Sequence, residues 1–240
     1  MKFLDLASRT AGLLGVERQS ISHQEKLVSA AGGVTGILLV FVVSRHILGD
    51  GPGLMVAASM GASAVLLFAV PHGALSQPWP VLGGHLVSAA IGVTCARWIP
   101  DPLLAAPLAV GLAIGAMHYL RCVHPPGGAT ALIAVIGGPA VQQLGYGFLA
   151  TPVLLNVVTL ILAATAFNSL FPWRRYPASL ARLPGDAPPS APVAYGPITH
   201  EDFVYALSEL DSFIDVSEED LVRIYQLATR HARAAQPGPR

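Results

Sequence analysis

The chain has 240 residues, 14 basic and 14 acidic for a formal net charge of zero, and is 53% hydrophobic and only 12% charged. A soluble domain carries about twice that share of charge, and no basic cluster or aromatic-interleaved patch offers a surface to nucleic acid. Between Leu27 and Trp173 the acidic and basic side chains are Arg45, Asp50, Arg97, Asp101 and Arg121, so the chain reads as an all-α, polytopic membrane helix bundle with the lipid bilayer as its solvent.

Residues 1–26 are modestly amphipathic: Phe3, Leu4, Leu6, Ala7, Leu13 and Leu14 are interrupted by Asp5 and Arg9. A cleaved signal peptide needs an unbroken apolar centre and a small-residue cleavage site, so this stretch reads as a cytoplasmic or interfacial helix. Residues 27–175 form the membrane domain. Leu27 to Leu48 reaches the roughly 20 residues that a hydrocarbon core of about 30 Å demands. Gly49-Asp50-Gly51-Pro52-Gly53 is a tight turn, and Leu54 to Val70 is the second span, closed by Pro71 and an uncharged loop to Pro80. Val81 to Ile99 is the third span, ended by Pro100-Asp101-Pro102, and Leu103 to Leu120 is the fourth.

Next comes Arg121-Cys122-Val123-His124-Pro125-Pro126-Gly127-Gly128-Ala129-Thr130. A helix interior cannot hold the two prolines, because they lack N–H groups and their rings clash with the preceding turn. The chain breaks there, Pro125 or Pro126 is a good first residue for a new helix, and that helix is expected to restart near Gly128 with unpaired N–H groups and a positive dipole end at the break. That would make an uncharged anion cradle flanked by His124 and Arg121. Gly127 to Gly138 is short for a span and is either a half-helix or a re-entrant segment. Leu149 to Phe171 is the last span, followed by Trp173-Arg174-Arg175-Tyr176, which reads as an aromatic and basic interface anchor.

With six crossings both termini share a side with Arg9, Arg18, Lys26, Arg121, Arg174, Arg175 and Arg182, against Arg45 and Arg97 opposite. The positive-inside rule places them in the cytoplasm of a cell holding this chain in its inner membrane. Four or five crossings, with the segment after the break re-entrant, are the alternative. Gly61-Ala62-Ser63-Ala64-Val65-Leu66 matches Gly128-Ala129-Thr130-Ala131-Leu132-Ile133, and Pro80-Val81-Leu82 matches Pro152-Val153-Leu154. Units of three spans run in opposite orientations, the inverted repeat of transporters, whose site lies where the copies meet. Ordinary small-residue helix packing explains the same match.

Residues 176–198 are a linker rich in proline, from Pro177 to Pro197. Residues 199–235 carry two N-cap signatures, Thr199 with Asp202 and Ser217 with Asp220, each ahead of an apolar-periodic run. They form an acidic, amphipathic helical hairpin on the cytoplasmic side, and residues 236–240 are a tail. Abundant small-residue faces on so small a bundle point to a homo-oligomer. Cys95 and Cys122 lie in apolar stretches and read as small buried residues.

His124-Pro125-Pro126-Gly127-Gly128-Ala129-Thr130-Ala131-Leu132 resembles the signature that names the HPP family of integral membrane proteins. The likeness extends to Gly61 through Ala69, Gln77-Pro78, Gly83-Gly84-His85, Ser88-Ala89, Ala109 through Ile114 and Arg175-Tyr176-Pro177, covering Gly32 to Pro177. The resemblance implies transport of a small inorganic anion, since members in chloroplasts and cyanobacteria are described as nitrite transporters. Bacterial members often carry paired CBS nucleotide-sensing domains after a hairpin like 199–235. A chain ending at Arg240 is expected to lack direct adenine-nucleotide control of that kind.

Polar groups inside a membrane are costly and are functional candidates by default. The substrate-binding candidates are His124, Gly127, Gly128, Thr130, Ser63, Gly61, His85, Arg121 and His118. His124 either faces the anion or caps the broken helix. Arg121 either ligates or snorkels to the interface as a positive-inside anchor. His118 lies on the same helix face as Arg121, as part of the site or as an interface residue. Gly83-Gly84 before His85 suggests a second close backbone approach facing the first. Ser63 and Thr130 offer hydroxyls to an anion or bond their own helix carbonyls, and Asn156 suits an interhelical hydrogen bond. No spacing of His with a carboxylate supports a metal, and no nucleophile with its base supports catalysis. The expectation is therefore an anion permease or channel without cofactor, two half-helix N-termini near Gly61–Ser63 and Gly127–Thr130 holding the ion. The rival is a membrane sensor or scaffold that presents its hairpin to a cytoplasmic partner and transports nothing.

Overall fold

The structure is a computed structural model, and it describes residues 22–49, 53–181 and Tyr225. The hairpin at 199–235 and the tail at 236–240 lie outside the described residues apart from Tyr225, which is helical, as does the N-terminal segment before Ser22. Six helices carry the fold: α1 (His23–Leu48), α2 (Gly53–Ala69), α3 (Pro78–Trp98), α4 (Pro102–Tyr119), α5 (Pro125–Ile136) and α6 (Leu155–Ser169). Among the described residues there is no strand. Four helical stretches are long and apolar enough to cross a membrane, those of α1, α3 and α4 and the run Leu149–Ser169, with shorter apolar helices in α2 and α5.

Each boundary has a local cause. The Ser22 hydroxyl accepts the Glu25 N–H at 3.1 Å and starts α1 four residues before Leu27. Asp101 accepts the Leu103 N–H at 2.9 Å and Pro102 is the first residue of α4. Thr151, pushed into the extended region by Pro152, puts a wide-turn kink at Leu149–Leu154 before α6. α4 ends in a paired cap, Arg121 N–H to the His118 carbonyl at 3.1 Å and Cys122 N–H to the Met117 carbonyl at 2.9 Å, with Arg121 at φ +54. A left-handed residue closing a helix this way is usually glycine, and an L side chain there costs about 1–2 kcal/mol. Arg121→Gly is therefore expected to raise the thermal midpoint of the purified protein, and a lowered midpoint would refute the capping role.

The helices alternate in direction, so α1, α3 and α5 run away from the end that holds Arg174 while α2, α4 and α6 run back towards it. α1 packs on α2 and α6, as α4 packs on α5 and α3, with α2 and α5 in contact at the centre. The core divides accordingly. One apolar cluster, with Met60, Leu67, Phe68 and Leu160, joins α1, α2 and α6, and a second, with Ala105, Ala113, Met117 and Cys122, lies under α4. Cys95 and Cys122 are buried and free.

At the Arg174 end the chain closes on itself. Arg174 is 1% exposed and ion-paired with Glu25. It also donates to Ser29 Oγ at 3.1 Å, to the Phe68 carbonyl and to Asn168 Oδ1 at 3.2 Å, while Asn168 Nδ2 donates to the Leu67 carbonyl at 3.0 Å. Those carbonyls are the free acceptors at the C-terminus of α2, where a cation also suits the helix dipole. Burial lowers the guanidinium's pKa and the Glu25 charge opposes the shift. Tyr176, also fully buried, donates to the Ser76 carbonyl at 2.8 Å, and burial pushes its phenol up, so it stays protonated as that donor. This corrects the interface-anchor expectation for Arg174 and Tyr176. Trp173, half exposed, donates Nε1 to Glu25 at 2.9 Å. The packed unit also extends past residue 175, since the Ala178 N–H donates to Gln77 Oε1 at 3.0 Å.

Candidate functional site

The break after α4 sends Cys122, Val123 and His124 into the bundle as extended chain. α5 then restarts at Pro125, one of the two prolines that the sequence offered as its first residue, because prolines fit the first turn of a helix, where N–H groups have no partner anyway. The same fact removes donors from the expected amide cradle. Pro125 and Pro126 have no N–H to offer, and the Gly127 N–H is bonded to the His124 carbonyl at 2.8 Å. The second half-helix is absent as well: α2 runs unbroken through Gly61 and Ser63, whose region lacks any proline to interrupt it.

Side chains take the place of the amides. His124 Nε2 lies 2.8 Å from Ser63 Oγ, and His85 Nε2 lies 2.8 Å from the same oxygen. His85 Nδ1 is 2.7 Å from Thr130 Oγ1, and His124 Nδ1 is 2.9 Å from the Leu75 carbonyl. All four side chains are fully buried. The two imidazole rings meet edge to face, their centroids 5.0 Å apart. Ser63 lies about two turns from the end of α2 and His85 two turns into α3, so the group sits roughly 10 Å below the Arg174 end at 1.5 Å per helical residue.

Small residues bring these side chains together. A Cβ added at Gly127 would lie 2.8 Å from the Gly84 carbonyl oxygen and 2.8 Å from Ser88 Oγ. One added at Gly84 would lie 2.6 Å from His124 Cβ, and one at Gly92 would lie 2.6 Å from the Ala131 carbonyl oxygen. α3 and α5 therefore touch backbone to backbone, as the glycines before His85 suggested. The loop that supplies Leu75 is tied down by Ser76 Oγ to the Leu66 carbonyl at 3.1 Å and by Gln77 Nε2 to the Pro71 and Gly73 carbonyls.

The sequence profile described as HPP, transmembrane region, matches residues 18–177. The chain belongs to the HPP family. Two curated transmembrane proteins of Dictyostelium discoideum resemble it, at 35% identity over 59% of this chain and 47% of the relative, and at 36% identity over 60% of this chain and 51% of the relative. The chain thus spans about half the length of the curated relatives it matches. No solved structure matches it significantly.

In this HPP chain the motif's histidine, His124, is the residue that joins α5 to α2 and to the 71–77 loop, while its prolines start α5. The other candidates divide. Ser63, His85, Thr130 and His124 are assembled by the fold, and Gly127 lets them assemble. Gly128 and Gly61 stand off from the cluster, with only Val110 near a Cβ at Gly128, at 3.9 Å, and nothing near one at Gly61. Arg121 and His118 are exposed at the end of α4 and do not join it. Asn156, fully buried, accepts from Ser44 across α1 and α6. The Leu75 carbonyl escaped the sequence, which carries no signal for a backbone acceptor in an apolar loop.

Proposed function

We propose that this HPP protein is an integral membrane permease for a small inorganic anion, nitrite being the choice that the family resemblance implies. The observation that carries the reading is the meeting of two histidines, a serine and a threonine, fully buried in an apolar bundle. Ionisable groups in such a place are expensive and mark ion or proton pathways. Both Nε2 atoms converge on the one point that Ser63 Oγ fills. An oxyanion that displaces that hydroxyl there meets a pair of imidazole rings and no fixed full charge, a combination that binds weakly enough to release the ion.

The packing supports the finer architecture. Six crossings bring the start of α1 and the segment after α6 to the same end. Exchanging α1, α2 and α3 with α4, α5 and α6 leaves the neighbour relations unchanged. The matched Ser63 and Thr130 lie on antiparallel helices and approach opposite nitrogens of His85. This is the arrangement of two inverted repeats with the site where they meet. Lys26, Arg121, Arg174 and Arg175 lie at the Arg174 end against Arg45 and Arg97 opposite, which favours a cytoplasmic Arg174 end in an inner membrane. Association of small-residue faces into a homo-oligomer belongs to the same reading.

The scaffold reading draws on one observation: the four side chains and the Leu75 carbonyl satisfy one another. In the transport reading this is the closed state of the cycle. Nitrite, nitrate, formate, bicarbonate and chloride uptake into proteoliposomes separates the two. Nitrite is expected to enter faster than into empty liposomes, with His124→Ala reduced to the empty rate. If no anion moves while thermal melting confirms folded protein, the permease reading falls and the scaffold reading stands.

A further inference from the structure

The hydrogen positions in the buried cluster follow from its heavy atoms. A carbonyl only accepts, so His124 Nδ1 carries the proton that bonds Leu75. In the neutral cluster His124 Nε2 is then a lone pair, and Ser63, 2.8 Å away, must donate to it rather than to the Ser59 carbonyl at 3.3 Å, since otherwise two lone pairs meet. The Ser63 oxygen is left to accept from His85 Nε2–H, which leaves His85 Nδ1 to accept from Thr130. The neutral order is Thr130 to His85 to Ser63 to His124 to Leu75, every donor facing an acceptor. Any other neutral arrangement sets two lone pairs against each other.

One added proton reverses the order without breaking it. When a proton arrives on Thr130 Oγ1, the former Thr130 proton passes to His85 Nδ1. The His85 Nε2 proton passes to Ser63, and the former Ser63 proton passes to His124 Nε2. Nothing is oxidised or reduced, and the net change is one proton and one positive charge, on His124. Thr130 then donates to the Pro126 carbonyl, 3.5 Å away, His124 Nδ1 still donates to Leu75, and the bonds among the four side chains are kept with donor and acceptor exchanged. Two imidazolium rings at 5.0 Å repel, so the pair takes one proton rather than two.

We propose that Thr130, His85, Ser63 and His124 form a relay that binds one proton, delivered to His124, as the companion of the transported anion. The surroundings supply the reason for companionship. α2 brings no titratable side chain between Ala58 and Ala69, and α5 none between Pro125 and Ile136. α3 adds Cys95 and Arg97 at its far end, and α4 adds the exposed His118, with Asp101 capping its distant start. Of the neighbouring loop groups, Cys122 is a buried thiol, His72 Nε2 meets the Arg175 carbonyl at 3.0 Å, and Tyr176 is bonded to Ser76. Among the described residues no carboxylate faces the pair, so a charged His124 has no counter-ion among them, and a bound anion is the one that neutralises it.

The relay rests on the permease reading for its purpose but not for its test, which is nitrogen NMR of the full chain labelled with ¹⁵N-histidine in nanodiscs through an acid titration. His85→Gln and His124→Asn assign the two rings. The expected result is a single step in which His124 becomes doubly protonated while His85 stays neutral and moves its proton from Nε2 to Nδ1. In Ser63→Ala, His124 is expected to charge with no change at His85. A cationic His85, a His85 that keeps its tautomer while His124 charges, or two rings that do not titrate while the protein stays folded would overturn the relay. Nitrite uptake that persists beside such a failure leaves the permease reading standing, and a switching relay without uptake removes the permease alone.

Discussion

Gly127→Ala is expected to lower the stability of the bundle by about 1–3 kcal/mol, while Gly128→Ala, one residue on, is expected to be neutral or to raise it by up to roughly 0.5–1 kcal/mol. Both glycines stand in the first turns of α5, where alanine is the better helix former. Propensity alone would favour both substitutions. The difference lies in what the new methyl group meets. At Gly127 it meets the Gly84 carbonyl oxygen and Ser88 Oγ at 2.8 Å, and the backbone partner cannot swing aside. α5 must move away from α3 and draw Thr130 away from His85. At Gly128 the nearest atom is Val110 Cγ1 at 3.9 Å, ordinary van der Waals contact. Thermal melting in detergent, together with nitrite uptake, reads both effects. A Gly127→Ala protein that melts at or above the parent would mean that α3 and α5 are not held in close contact.

Arg174→Met is expected to cost about 3–5 kcal/mol, the range for removing one partner of a buried ion pair. The side chain fills similar volume but donates nothing, so the Phe68 carbonyl, Asn168 Oδ1 and Glu25 Oε1 all lose the guanidinium together, while Trp173 still donates to Glu25 Oε2. Glu25 is the more accessible partner, with its side chain 25% exposed, and water partly replaces what it loses. Glu25→Gln is therefore expected to cost less than Arg174→Met, and the double variant less than the sum, because the two residues act in one network. Additive losses would refute the shared network. An Arg174→Met protein as stable as the parent would return Arg174 to the exposed anchor that its sequence context suggested.

The sequence disclosed the parts of this protein that follow from composition and chain chemistry. A near-absence of charge from Leu27 to Trp173 reads as membrane helices, and two adjacent prolines read as a break after α4. Ser63, His85, His124 and Thr130 stood out because polar groups in apolar helices are expensive. What the sequence could not disclose was which groups would answer each other in space. Local reasoning put unpaired amides at the break, yet prolines at the first two positions of α5 remove two donors, and the His124 carbonyl takes a third. Gly61 resembled Gly128 in its sequence context, but without a proline the chain had no cause to leave the helix. Arg174 next to Trp173 looked like an interface pair, and nothing local showed that the carbonyl of Phe68, about a hundred residues away, would draw the cation inside. Arg121 was singled out for its charge, while its backbone, at φ +54, is what shapes the end of α4.

The bond between Arg174 and Glu25 also bears on how this unit is made. A ribosome delivers α1 into the bilayer first and Arg174 only after α6 has followed, so through most of synthesis Glu25 and the C-terminal carbonyls of α2 await their partner. The six helices are made one by one, but the fastening that joins the first to the last forms only once residues 172–176 have emerged. Assembly of this helical unit is thus completed by the short segment that follows α6.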